Sequence, residues 1–360
     1  MKSYIINLIC VASLFALLYI GLKNGFYSKQ FQSVLMLIFI NIILAVSLNI
    51  STGYLGEIVL GHAGFMSIGA YTSALITKGL GVTTKSPNGV LILIFALICG
   101  GLVAALFGIL VGIPALRLKG DYLAIITLGF GEIIRVLIEY FKFTGGAQGL
   151  SGIPRLSNLF TAFFIMVISV ALIFSFVRSR FGRVLTAIRE DDIASEAVGI
   201  KNTYYKVMAF ATTAFFGGIA GGVYAHFMGI IGARQFNFNK SIDILVVVVL
   251  GGLGSMTGSI VSAIGLTILP EVLRSFSEYR MLIYSILLII VMLFKPSGLF
   301  GKYEFSMTRL LEKMGLFKAS GQPPAGISGS GSPGPVSPSS GSLDESRAAL
   351  PVDNEKEDIR

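Results

Sequence analysis

Charge is scarce in this chain. Only 13% of its 360 residues are Asp, Glu, Lys or Arg, about half the share of an average soluble domain. Hydrophobic residues make up 54%, and mean hydropathy is +0.81. So few charges cannot cover a water-facing surface. That excludes the two or three soluble domains the length would allow and points to lipid as the solvent for most of the chain. Cysteine and histidine are scarce too, with two of each. Cys10 and Cys99 both lie inside apolar runs, which excludes a disulfide framework and a cysteine zinc site. Two histidines leave no cluster for a metal. The phosphate-cradling motif G-x-x-x-x-G-K-[ST] is absent, so no nucleotide hydrolysis is expected of this chain and no catalytic residue is assigned.

The charges that are present are unevenly placed. Residues 319–360 hold three basic and six acidic side chains, whereas residues 1–318 hold 25 and 13. Many of the basic residues fall between apolar runs, where lipid headgroups and topology explain them better than nucleic acid does. The runs cover 4–22, 34–50, 58–77, 90–113, 122–140, 160–177, 207–231 and 281–294, with a long stretch at 242–273. Most are near the ~20 residues a helix needs to span a bilayer. The first run lacks a small-residue cleavage site after it and is expected to be a retained helix.

Orientation follows from the loop 178–206, which carries Arg178, Arg180, Arg183, Arg189, Lys201 and Lys206 and is therefore expected in the cytoplasm. Six runs precede it, which places the N-terminus there as well. Lys302, Arg309, Lys313 and Lys318 place the C-terminal segment on the same side. Parity then requires 242–273 to cross twice, with a discontinuous helix near its glycines. The expected architecture is all-α and polytopic, with about ten crossings. A transmembrane body fills 1–301, a short cytoplasmic amphipathic segment 302–318, and a disordered, acidic Gly/Ser/Pro-rich tail 319–360.

Three stretches stand out. The segment 61–71, GHAGFMSIGAY, contains small residues that let helices approach closely. His62, Gly64 and Gly69 are candidates either for packing or for lining a path. His62 is expected to be neutral and bonded to a nearby carbonyl. In 118–135, Glu132 and Arg135 are spaced i, i+3, and Glu139 follows at i+4 from Arg135. A charge-paired helical edge is expected, either near the membrane surface or along a path. Gly251, Gly252 and Gly254 divide the long 242–273 stretch and are candidates of the same two kinds. The third stretch, 180–206, is not a bland linker. Apolar Ala187, Ile188, Ala197 and Ile200 alternate with acidic residues including Glu196. One short helix ending near Gly199 is expected, with an apolar face that wants a protein partner outside the bilayer. Asn202, on the far side of this loop, is expected to tolerate alanine.

The segments GYLGEIVLGHAGFMSIGAY (53–71), LRLKGDYLAIITLGFGEIIR (116–135), TGGAQGLSGIP (144–154), RFGRVLTAIREDDIASEAVGI (180–200), VVLGGLGSMTGSIVSAI (248–264) and KPSGLFG (295–301) together carry a family likeness. In matching order over roughly residues 30–301, the chain resembles the LivM-type permease subunits of branched-chain amino acid ABC importers. The resemblance implies transport of Leu, Ile or Val into the bacterial cytoplasm across the inner membrane. It implies a LivH-like second permease, LivG-like and LivF-like ATP-binding subunits that use ATP and Mg, and a periplasmic substrate-binding protein. No cofactor is expected on this chain itself. It further implies that Ala187, Ile188, Glu196, Ala197, Gly199 and Ile200 belong to a loop that docks in a cleft of an ATP-binding subunit. Urea or a short-chain amide is the alternative cargo within the same family. A secondary transporter acting alone is the alternative class, for which inverted repeats and a coupling-ion site are expected.

Overall fold

A computed structural model describes residues 28–273, apart from 84, 85, 87, 117 and 119, and scattered positions between 279 and 301. The expected helices at 4–22 and 281–294, the amphipathic segment 302–318 and the tail 319–360 lie wholly or largely outside the described residues. Those described are mainly helical, and among them the only β-type pairing is a single antiparallel bridge between Leu150 and Ile231.

The helices are α1 (Lys29–Asn49), α2 (His62–Gly79), α3 (Gly89–Ala115), α4 (Asp121–Tyr140), α5 (Leu159–Arg178), α6 (Arg180–Glu190), α7 (Asp192–Ala197), α8 (Asn202–Met228), α9 (Phe238–Gly251) and α10 (Met256–Val272). Among the described residues, four helices are long and apolar enough to cross a membrane: α1 with its extension to Tyr54, α3, α5 and α8. α9 and α10, with 14 and 17 residues, are shorter than the ~20 of a full crossing.

α1 is the central helix. Ser28 caps it by accepting from Phe31 N at 3.2 Å, and most of its second half is fully buried. It continues into a π-helical turn, Ile50–Tyr54, which closes with Leu55 N donating to Ile50 O and Glu57 N to Ser51 O. Such widened turns concentrate at functional sites. α3 is apolar all round, as a lipid-facing helix should be. Leu91, Phe95, Leu102, Leu106 and Leu110 point outward, while Gly101, Ala104 and Gly108 face α8 and Gly100 faces Gly69 of α2.

Close approach, rather than hydrophobic burial, holds α2, α3 and α8 together, because lipid tails are as apolar as the side chains they would meet. A methyl on Gly69 of α2 would overlap the backbone of Gly218 in α8, and one on Gly221 would overlap the Met66 carbonyl. The helices therefore touch backbone to backbone.

The expectation of a helix running from 58 is corrected. Residues 55–61 are irregular and α2 starts at His62. The helix begins inside the bundle because side chains from other helices supply its partners. Thr127 Oγ1 accepts from Leu60 N and Ser241 Oγ from Ala63 N, both at 3.1 Å. α9 starts beside it, at a partly exposed edge of the bundle. Asn237 caps it through Lys240 N at 3.1 Å, and Glu132 Oε1 accepts from Phe238 N at 3.0 Å. From this shared origin the two helices run to opposite ends of the bundle. α2 ends where Lys78 Nζ donates to Ser151 O, near the Leu150–Ile231 bridge. α9 ends beside Gly53 and Arg189, at the end that carries most of the basic loop.

Candidate functional site

At that basic end, one short helix was expected across 187–200, and the structure has two. α6 is amphipathic, capped by Ser179 and burying Gly182, Leu185 and Ile188. The chain breaks at Asp191, whose Oδ1 accepts from Ile193 N and Ala194 N at 2.9 Å each and starts α7. An aspartate at this position satisfies two otherwise orphaned donors. Ala187 and Ile188 thus belong to α6, with Ile188 buried, while Glu196 and Ala197 belong to α7 and are exposed. α7 ends in a Schellman turn: Ile200 N donates to Ser195 O and Gly199 N to Glu196 O, with Gly199 at φ +90°. A β-carbon is strained in that conformation. Ile193 and Val198 are 77% and 78% exposed, so this short helix presents apolar groups away from the bundle.

Underneath α7 lies a polar junction that the sequence did not announce. Lys206 Nζ is 3.1 Å from Glu57 Oε1 and 3.3 Å from Asp192 Oδ1, with the lysine side chain only 10% exposed. Asn202 Nδ2 donates to Asp192 O at 2.6 Å and Oδ1 at 2.8 Å, and Ser195 Oγ lies 3.1 Å from Asn202 Oδ1. Asn202 is 6% exposed. Its expected tolerance of alanine is therefore corrected, since truncation would leave buried polar partners unsatisfied. Arg189 donates to Gly53 O. The cleft between these groups, about 460 Å3, is lined by Thr52, Glu57, Arg189, Asp192, Lys206 and Leu253, among others.

The glycines at 251–254 form part of this junction. Gly251 packs on the backbone of Gly258, and Gly252 and Gly254 shape the turn into α10. The turn is tied to α1 by Asn49, which accepts from Gly254 N at 2.9 Å and donates to Ser255 O and Ser259 Oγ at 3.0 Å each. A discontinuity near 242–273 was expected, and it falls at 252–255, between α9 and α10.

Midway along the bundle, His62 Nε2 sits 3.2 Å from Ser47 Oγ, which itself donates to Leu44 O at 2.9 Å. His62 is fully buried. Gly64 faces Gly131 of α4, and Gly69 lies in the α2–α8 seam. The charge cluster on α4 forms as expected. Arg135 Nε is 2.6 Å from Glu132 Oε2, and Nη1 is 3.0 Å from Glu139 Oε2. Glu132 thus joins Arg135 to the start of α9. Glu132, Arg135, Arg234, Asn237, Phe238 and Asn239 line an open cleft of about 470 Å3. Among the described residues, no group of three His, Cys, Asp or Glu could hold a metal.

Residues 30–292 match the family described as the permease component of branched-chain amino acid transport systems. The chain belongs to that family. It is 36% identical over 347 residues to the high-affinity branched-chain amino acid permease protein LivM of Salmonella typhimurium, covering 86% of this chain and 78% of that protein. To LivM of Escherichia coli K12 it is 37% identical over 309 residues, covering 76% and 70%. A more distant relative in the same organism is the permease protein LivH, 24% identical over 284 residues, covering 73% and 91%. No solved structure matches the chain. Family membership makes the chain a transport permease component and an integral membrane protein.

Proposed function

We propose that the chain is the membrane-spanning permease subunit of an ABC importer that moves Leu, Ile and Val into the cytoplasm. The observation that carries this reading is the 36–37% identity to two LivM proteins over most of the chain. ATP hydrolysis takes place in two partner subunits, and a LivH-like permease supplies the other half of the path. A periplasmic binding protein delivers the substrate. The chain crosses the bacterial inner membrane about ten times, with 178–206 and both termini on the cytoplasmic side, because the basic residues cluster there. α7, with Ile193 and Val198 exposed, suits a cleft on an ATP-binding subunit. An apolar cargo with zwitterionic ends suits a bundle whose interior holds few charges and the N-terminus of α2.

The test is uptake in vesicles containing this chain with a LivH-like permease, the ATP-binding subunits and a binding protein. Leucine should accumulate only with ATP and the binding protein, and excess isoleucine or valine should compete. Competition by urea or acetamide but not by isoleucine would transfer the assignment to an amide importer. Uptake without any ATP-binding subunit would refute the class.

A further inference from the structure

Lys206 is the fifth residue of α8 and is 8% exposed. Its ammonium reaches two carboxylates carried by different segments. Glu57 belongs to the irregular stretch between the π-helical turn and α2, and Asp192 is the first residue of α7. A largely buried cation shared in this way holds its partners firmly, because removing it strands their charges away from water. Arg189 acts in parallel. It donates to Gly53 O, and a β-carbon added to Gly56 would meet its Cγ at 2.8 Å, one added to Gly254 its Nη1 at 3.2 Å.

The stretch from Glu57 to α2 has little slack. Glu57 N is bonded to Ser51 O, Val59 is fully buried, and Leu60 N is bonded to Thr127 Oγ1 of α4. Gly61 lies so close to the Thr127 carbonyl that an added β-carbon would overlap it. Five residues after Glu57 the chain enters α2, whose N-terminus adjoins that of α9. Packed, hydrogen-bonded segments of this kind shift as units rather than deform.

We propose that Lys206 is a positioning residue for transport, which passes displacement of α7 through Glu57 to the start of α2 and to α4 at the centre of the bundle. The inference rests on the importer reading above, in which α7 is moved by ATP-binding subunits. The chain then contains two separable functions at one end: an apolar helix that docks, and an ionic relay beneath it that transmits.

The experiment uses the full-length chain, assembled with its partner subunits and reconstituted in vesicles. Lys206→Met and Glu57→Gln, the second nearly unchanged in volume, are compared with Lys206→Arg. Allosteric couplings of ordinary size correspond to roughly 5–150-fold effects. Leucine uptake should therefore fall about tenfold or more in the first two variants. The ATP-binding subunits should still co-purify and ATP hydrolysis should continue, so that ATP consumed per leucine rises by a similar factor. Lys206→Arg, which retains the cation, should keep most of the uptake. An unchanged ratio of leucine to ATP in both variants overturns the relay while leaving the importer assignment intact. Loss of the ATP-binding subunits from Lys206→Met at normal abundance also overturns it, since Lys206 would then only shape the docking helix. ATP-independent uptake by the unaltered chain overturns the importer reading and the relay together.

Discussion

Replacing Gly69 by alanine tests whether backbone contact between α2 and α8 holds the bundle. The added methyl would overlap the Cα, carbonyl carbon and oxygen of Gly218, and no side chain can rotate out of its way. Overpacking a tight core costs about 1–3 kcal/mol, and immovable backbone atoms place this case near 3. Alanine gains about 0.8–1.0 kcal/mol over glycine inside a helix, leaving a net loss of about 2 kcal/mol. At about 2–4 °C per kcal/mol for a domain of 150–250 residues, that is a drop of roughly 4–8 °C, towards the lower figure for a larger bundle. Gly129→Ala in α4 is the matched control. Nothing lies within 4 Å of its added carbon, so only the helical gain remains, with a midpoint unchanged or raised by about 2 °C. The assay is loss of the monodisperse peak on heating the detergent-solubilised protein, read by fluorescence-detected size exclusion. If Gly69→Ala melts at or above the unaltered protein, the seam is not close-packed and the account of the α2–α8 contact fails.

Three further outcomes are expected. Gly199→Val should weaken co-purification of the ATP-binding subunits because valine is strained at φ +90°, whereas Gly199→Asn should be tolerated; Ala197→Trp should weaken it by steric clash. Single cysteines at Ile193 and Val198, both exposed, should resist impermeant thiol reagents in intact cells and react in inverted vesicles made without the ATP-binding subunits, and labelling from outside would reverse the topology. Truncation after Lys318 should leave leucine uptake within about twofold at equal abundance, since the removed composition cannot form a core.

Much of the helical framework is legible in hydropathy alone. The runs at 34–50, 90–113, 160–177 and 207–231 became α1, α3, α5 and α8, the four helices among the described residues long and apolar enough to cross a membrane. The end of α7 was legible too, because glycine after an apolar periodic segment marks a helix stop. The start of α2 was not, since hydropathy continues through 58–61 and the break depends on Thr127 and Ser241 from distant helices. The division between α6 and α7 had a local signal in Asp191, an N-capping residue, that the apolar pattern across 187–200 masked. The junction at Lys206 had none. Glu57 stands 149 residues away in sequence, and its pairing emerges only when the helices assemble. The same holds for Asn202, which looks like an ordinary loop residue until its amide is seen bonded to Asp192.

The bonds made by Asn49 bear on how the protein is made. Its side chain is fully buried, yet its three partners lie 205 to 210 residues further along the chain. At ordinary synthesis speeds those partners leave the ribosome about 10–40 seconds after Asn49 does. Asn49 ends α1 beside the basic loop, where water can hold its amide during that interval. The first helix of the described bundle therefore reaches its final seat only when the turn before α10 arrives. The order of insertion and the order of packing are different in this protein, and a late residue completes the site of an early one.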